Sequence, residues 1–351
     1  MVLGWSGRAS VALVGCLAAA ACATPSSNDG IFTLVAVVPD AAAGETLSAG
    51  TVALTTLVDG ITEGRVTIEV DSTEQHCQHP DDCLAALQAG EIDVYHTTSD
   101  RFAGLFPELQ VLDVPYLIES DAVAELVFSG AFFARMRDAI LERTGLRLMA
   151  VANAGGWRHI ANTEREVRTP DDLDGLTLTT FDVPVHIETT RAFGATPLIM
   201  SGSLVASDES VTVLSHGIRA GVLGLLADDA KARPTYLTLD RHNYLTALWL
   251  MNERSYRQMP LDLQQIVQLG FDELKRLTLG FPDAREAEGL AAFEAAGGQV
   301  YVPSADEHRA FVMAGGAVST WFMDDYGYEW LVWLEGAIAE AERELASSSS
   351  R

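Results

Sequence analysis

Cations are scarce in this chain. Its 351 residues carry 23 Lys and Arg against 49 Asp and Glu, a formal net charge of -26. Such an excess repels phosphate backbones over the whole surface, and no basic cluster relieves it, so nucleic acid and anionic lipid are excluded as partners. Catalytic signatures are missing too: no GxSxG elbow, HExxH helix, Walker A loop or GxGxxG turn occurs. The eight histidines are scattered, none at helical (i, i+4) spacing from another. The acidic doublets Asp81-Asp82, Asp171-Asp172, Asp228-Asp229 and Asp324-Asp325 lack the spaced ligands and turn glycine of a calcium loop. Two of them open helices, where carboxylates offset the dipole. No catalytic residue, metal site or cofactor is expected, and no repeat of solenoid period is present.

Cysteine is nearly absent, and its four positions are informative. Two lie in the N-terminal stretch "MVLGWSGRASVALVGCLAAAACATPSSNDG", where one cation, Arg8, precedes an apolar run from Ala9 to Ala21. That run is short for a bilayer span and suits a secretory signal. "AAAC" ending at Cys22 resembles a bacterial lipobox, as does "LVGC" ending at Cys16. Cys22 is favoured for lipidation because a flexible tether begins directly after it. Residues 1–22 then form the signal and lipobox and 23–31 the tether, which places the body outside the cytoplasm, attached to a membrane only through lipid. The other two cysteines, Cys77 and Cys83 in "EQHCQHPDDC", are flanked by His76 and His79. A metal clip needs a second, distant ligand pair that the chain lacks, so a disulfide in an oxidising compartment is the favoured reading.

Length suggests two lobes, and 48% hydrophobic residues suit an ordinary globular body. "IFTLVAVVPD" reads as a buried strand, 43–59 as a helix, "GRVTIEVD" as a strand, "PDDCLAALQAG" as a helix capped by Gly90, and "EIDVYHTT" as a strand. This β-α-β-α-β order favours a parallel sheet with helices on its faces. Beyond it, one helix is expected from Asp121 to about Thr144, then the strand "LRLMAVAN". Thr169 and Pro170 start a helix that Gly175 ends, and "LTLTTF" is a strand. "HIETTRAF" reads as a helix, "TPLIM" as extended, "YLTALWLMN" as a fully buried strand. "PLDLQQIVQLGFDELKRLTLGF" and "YEWLVWLEGAIAEAERELA" read as helices.

Several segments, in order, resemble one family, the extracytoplasmic solute-binding proteins of TRAP transporters of the dicarboxylate-receptor (DctP) type. "GRVTIEV" with "CLAALQAGEIDVY" is similar to its strand, loop and "lqxGxiDm" element. "LQVLDVPYLIESDAVAELV" resembles its "vldlPflfxdxxha" signature, the most specific match. "GGWRHIANTEREVRTPDDLDGLTL", "RAFGATPLIM" and "YLTLDRHNYLTALWLMNERSYRQMPLDLQQIV" follow, so the likeness runs from about Phe32 to Phe281. It implies an α/β, two-lobed periplasmic-binding-protein-like fold with an interlobe cleft, hinge strands and a long helix packed across both lobes. Lobe I is expected over 32–155 plus about 246–285, and lobe II over 156–245 plus about 286–345 with the C-terminal helices. The chain is expected to act as a monomer that is no enzyme, capturing a small organic solute for the membrane subunits of an ion-driven transporter.

The cleft residues follow from the same resemblance. Arg158 stands where the family has the first of two cleft arginines, after a Gly-Gly pair that lets backbone approach a ligand. A guanidinium fork suits a carboxylate through two parallel charge-assisted bonds; a structural ion pair is the other reading. The second arginine falls at Thr179 and is missing. The family's Glu and Asp fall at Gly202 and Ala220 and its common ligand-contacting Asn at Gly224, with a short insertion between Leu204 and Val213. These losses imply a changed ligand or a lost one. Trp157 and Met200 are either cleft walls or core, and Thr98, with His96, ends a strand toward the cleft. A ligand sensor that has lost transport, and an exported enzyme or metal protein, are the competing functions.

Overall fold

The computed structural model describes residues 30–38, 45–72, 75–77, 79–200, 215–225, 234–278 and 281–349. Cys16, Cys22, Gly202 and the insertion between Leu204 and Val213 lie outside the described residues. The body of the protein is the unit Ile31–Arg351. Its first strands are β1 (Phe32–Val37), β2 (Val66–Asp71) and β3 (Val94–Thr98), with helices α1 (Glu45–Thr62) and α2 (Pro80–Ala89) between them. β1 pairs in parallel with β2 and β3, as the alternating β-α-β order requires. Gly90 ends α2 in the left-handed region at φ 79°, a backbone conformation open to glycine at little cost.

After α3 (Ser99–Phe102) and a 3-10 segment (Pro107–Asp113), the stretch expected as one helix is two, α4 (Asp121–Val127) and α5 (Ala131–Thr144). Gly130 is extended at the start of α5, and a Cβ there would lie 3.0 Å from the Leu126 carbonyl oxygen. The chain turns at this glycine. Two strands of 17 residues, β4 (Leu146–Asn162) and β8 (Tyr236–Asn252), then form the spine of the fold. Between them come β5 (Thr177–Phe181), α6 (Pro184–Ala192), β6 (Thr196–Met200), β7 (Gly217–Gly221) and the short α7 (Val222–Leu225). Thr169 and Asp172 close a capping box over a 3-10 turn, Pro170–Leu173, where a helix was expected.

The C-terminal part adds α8 (Glu253–Gln258), α9 (Leu261–Thr278), α10 (Phe281–Ala295), β9 (Gln299–Tyr301), α11 (Ala305–Tyr326) and α12 (Glu329–Ser349). Among the described residues nine strands make one sheet in the order β2-β1-β3-β8-β4-β7-β5-β6, with β9 on β8. β4 and β8 run antiparallel through both ends of this sheet, so each end builds its own layer: β2-β1-β3 at one, β7-β5-β6 at the other. At the crossing their register breaks between Asn153 and Trp157 and again between Arg158 and Ile160. Gly155 and Gly156 sit in the first bulge at φ 139° and 91°, and their N–H groups donate to Asn153 Oδ1 at 2.9 and 2.6 Å. The Gly-Gly pair therefore serves a bulge held by a side chain.

Trp330, Leu331, Leu334 and Ile338 of α12 share a core with Phe106, Leu109 and Phe132, so this helix packs on elements between residues 106 and 144. Phe311 of α11 joins Ile160, Leu178 and Phe193 at the opposite end of the sheet. No described helix is long and apolar enough to cross a membrane.

Candidate ligand-binding site

At the crossing of β4 and β8 the interior turns polar. Among the described residues Arg158 and Arg219 are the two buried cations, and Asp100, Asp113 and Asp240 the three buried carboxylates. All five are drawn to one seam between the ends of the sheet. β3 delivers Thr98, and the first turn of α3 presents Ser99 and Asp100. The end of the 3-10 segment brings Asp113, the first turn of α6 brings His186, and β7 carries Arg219 opposite Ile160 of β4.

Arg158 Nη2 donates to Asp100 Oδ2 at 2.9 Å. Asp100 Oδ1 accepts from the Thr98 hydroxyl and from the Arg101 backbone N–H. Burial alone would raise this carboxyl; Arg158, His186 and the Thr98 hydroxyl outweigh it and hold Asp100 below its ordinary range. The Arg158 guanidinium also lies 5.6 Å from the centre of the Phe181 ring, and its Nε has no partner.

Beside this pair, Ser99 Oγ donates to Asp113 Oδ2 at 2.7 Å, and His186 Nε2 faces Asp113 Oδ1 at 3.4 Å. Serine, histidine and aspartate thus meet, yet the hydroxyl is bonded to the carboxylate and not to the imidazole. A nucleophile needs its base within reach, so this is a structural network. Burial and the Arg158 charge lower the His186 imidazole more than Asp113 and Asp100 raise it, which favours the neutral ring at neutral pH.

Arg219 is bound differently from Arg158. Its Nε donates to Thr190 Oγ1 at 3.1 Å and its Nη2 to the His186 backbone oxygen at 2.8 Å, both neutral acceptors, while Nη1 has no partner. Burial and the neighbouring Arg158 charge bring this guanidinium down to about 9, against the pull of Asp240 and Asp113. Beyond it, Asp240 Oδ2 accepts from Tyr116 Oη and meets His242 Nδ1, each at 2.8 Å.

The residues expected from the sequence fall in different places. Thr98 and Arg158 meet through Asp100. Thr179 is buried on β5, its hydroxyl 2.6 Å from that of Ser215, and its Cα pairs with that of Ile218, one residue before Arg219. Met200 ends β6, half-buried, opposite Phe181. Trp157 is 1% exposed, with its ring edge-on to Tyr244 at 5.2 Å and the Arg241 guanidinium 4.5 Å over its face. His96 packs on Trp249 at 4.9 Å. Sequence reading missed Asp100, Asp113, His186 and Arg219. For Arg219 a signal was present, a lone cation in the uncharged "GIRAG". Cys77 and Cys83 form a disulfide, with Cα atoms 5.1 Å apart, and no group among the described residues could hold a metal ion.

Long strands crossing between two layers define a two-lobed α/β fold of the periplasmic-binding-protein type, with charged side chains gathered where the strands cross. The profile of bacterial extracellular solute-binding protein, family 7 (DctP), matches residues 38–208 and 231–323, and the chain belongs to that family. It is thus a TRAP periplasmic solute-binding protein, extracytoplasmic and not an enzyme. A solute-binding protein of Verminephrobacter eiseniae is 28% identical over 70% of this chain and 71% of its own length. The 2,3-diketo-L-gulonate-binding periplasmic protein YiaO of Escherichia coli is 29% identical over 52% of this chain, and the match spans only 55% of YiaO. Among solved structures, the sugar acid binding protein DctPAm of Advenella mimigardefordensis, in complex with galactonate, superposes with a TM-score of 0.79. That superposition covers 89% of this chain and 99% of DctPAm at 18% identity.

Proposed function

We propose that this chain captures a small organic acid in the seam around Arg158 and delivers it to the membrane subunits of a TRAP-type transporter. One observation carries the reading: a buried guanidinium, on a strand shared by both lobes, that keeps an unpartnered Nε while its Nη2 reaches Asp100. Buried N–H groups are costly to leave unbonded, and a solute carboxylate is the natural acceptor. YiaO and DctPAm are named for sugar acids, which supports the same class. Thr98 adds a hydroxyl on the Asp100 side of the seam, Thr179 one on β5 and Met200 an apolar edge; Trp157 is assigned to packing. The protein acts as a monomer, held to the membrane through lipid on Cys22.

Calorimetric titration of organic acids into the protein and into Arg158→Lys tests the site. Lysine keeps a charge for Asp100 and removes the Nε donor, so binding weakens by about 1.5–3 kcal/mol, the range for a charge-assisted bond. Unchanged affinity would remove Arg158 from the site. A sensing role without transport is favoured by one feature alone, Thr179 in place of the cation that the family resemblance sets there. Uptake of the solute by cells carrying the protein and its permease separates the two.

A further inference from the structure

We infer that Arg219 supplies the second cation of the site, from β7 instead of β5, and that it fits the seam for a monocarboxylate and against a dicarboxylate. The inference rests on the organic-acid reading above. Thr179, where a cation is missing, is registered with Ile218, while Arg219 pairs with Ile160, two residues from Arg158 on β4, so Arg219 and Arg158 leave neighbouring strands on the same face. It is nine-tenths buried and more, its Nη1 is unpartnered, and neither of its made bonds goes to a carboxylate. The Arg158 charge bears on it directly. Two guanidiniums that repel each other, one with a free Nε and one with a free Nη1, are a receptor for a single carboxylate, which would relieve the repulsion and satisfy both donors.

The charge count sets the class. Arg158 is already matched by Asp100, and Asp113 and Asp240 are also buried and face Arg219. Arg101, half-buried over the Phe181 ring, adds its charge on the Asp100 side; on the Arg219 side one guanidinium stands against Asp113 and Asp240, with His242 neutral. One solute carboxylate finds donors; a second would lie against Asp113 and Asp240, where like charges cost most. The remaining unpartnered atom beside Asp113 is neutral, Asn243 Oδ1, whose amide nitrogen donates to the Asp113 backbone oxygen. It accepts a hydroxyl, not a carboxylate.

Two matched series test this by calorimetry on the full chain: sorbitol, gluconate and glucarate; and erythritol, erythronate and meso-tartrate. Each series carries none, one and two carboxylates on one carbon chain. In at least one series the monocarboxylate should bind about tenfold or more tighter than both its neighbours. Arg219→Gln should weaken that binding about 10- to 100-fold, the factor for one charge-assisted bond, with Arg219→Lys between the two. A dicarboxylate that binds as tightly as its monocarboxylate, or Arg219→Gln within about twofold of the parent, overturns the inference and leaves the organic-acid reading standing. Binding of the neutral polyols alone, or of no compound in either series, counts against that reading itself.

Discussion

Arg158 Nη2 and Asp100 Oδ2 lie 2.9 Å apart, on side chains 8% and 3% exposed, and tie the crossing strand β4 to the head of α3. Taking both charges out of water is expensive, and the pair is tolerable because each partner is matched. Arg158→Ala would leave Asp100 buried and unmatched. It should destabilise the fold by about 3–5 kcal/mol, and the double variant Arg158→Met/Asp100→Asn should recover much of that loss. Denaturant unfolding of the parent and both variants measures it; equal losses in the single and double variants would show that the pair is not coupled.

Stability should fall in mild acid. Burial holds His96 down at about 4, and burial does the same for His242 against the pull of Asp240. The unfolded chain takes up protons near the ordinary 6.5 while the folded protein refuses them until about 4. Each histidine therefore leaves stability untouched above that range and removes on the order of 3 kcal/mol as pH drops through it. The depressed Asp100 acts lower down. Its contribution is complete above the ordinary carboxylate range and is lost as pH falls through and below that range. Unfolding free energy should decline from about pH 7 to about pH 4; a flat profile would mean that these imidazoles are not held neutral.

Gly217 leaves no room for a side chain. A Cβ there would lie 2.1 Å from the Ala161 carbonyl oxygen, which is backbone and cannot swing aside. Gly217→Ala should force β7 away from β4 and cost about 1–3 kcal/mol or more. Because Arg219 follows two residues on, solute binding should suffer in the same variant. A melting temperature equal to the parent's would contradict the close approach of the two strands.

The disulfide closes a small loop, with a sequence separation of 6. Its loss should cost about 2 kcal/mol, the loop-entropy value for so short a closure. Cys77→Ser/Cys83→Ser, compared with the parent by denaturant unfolding, gives the number. The oxidised protein should show no reactive thiol from this pair, and two thiol equivalents without reductant would contradict the bond.

Most of the fold was legible where apolar periodicity was clean. The β1-α1-β2-α2-β3 order could be read from short apolar runs punctuated by Gly90 and Pro80, and its parallel pairing follows. β4 and β8 were read at half their length. Arg158 and His159 on one strand, and Asp240, His242 and Asn243 on the other, interrupt the apolar pattern at the point where the strands pass through the seam. α11 was overlooked, although Phe311, Gly315, Val318 and Phe322 bury one face at helical spacing.

For the site, resemblance singled out Arg158 and a strand end singled out Thr98, but nothing in the sequence marked Asp100, the partner they share, which reads like any helix-opening acid. Arg219 and His186 belong to different strands and helices, and only tertiary pairing brings them together. The neighbours of Trp157 in sequence say nothing of Arg241, which covers its ring from the far strand.

We propose that this chain is a receptor for an organic acid. Thermal unfolding of the purified protein across organic acids and size-matched neutral polyols tests it most directly. An acid present at about 100 times its dissociation constant should add about 2.7 kcal/mol to stability and raise the midpoint visibly, while the matched polyol leaves it unchanged. Stabilisation by polyols alone, with every acid silent, would contradict the account.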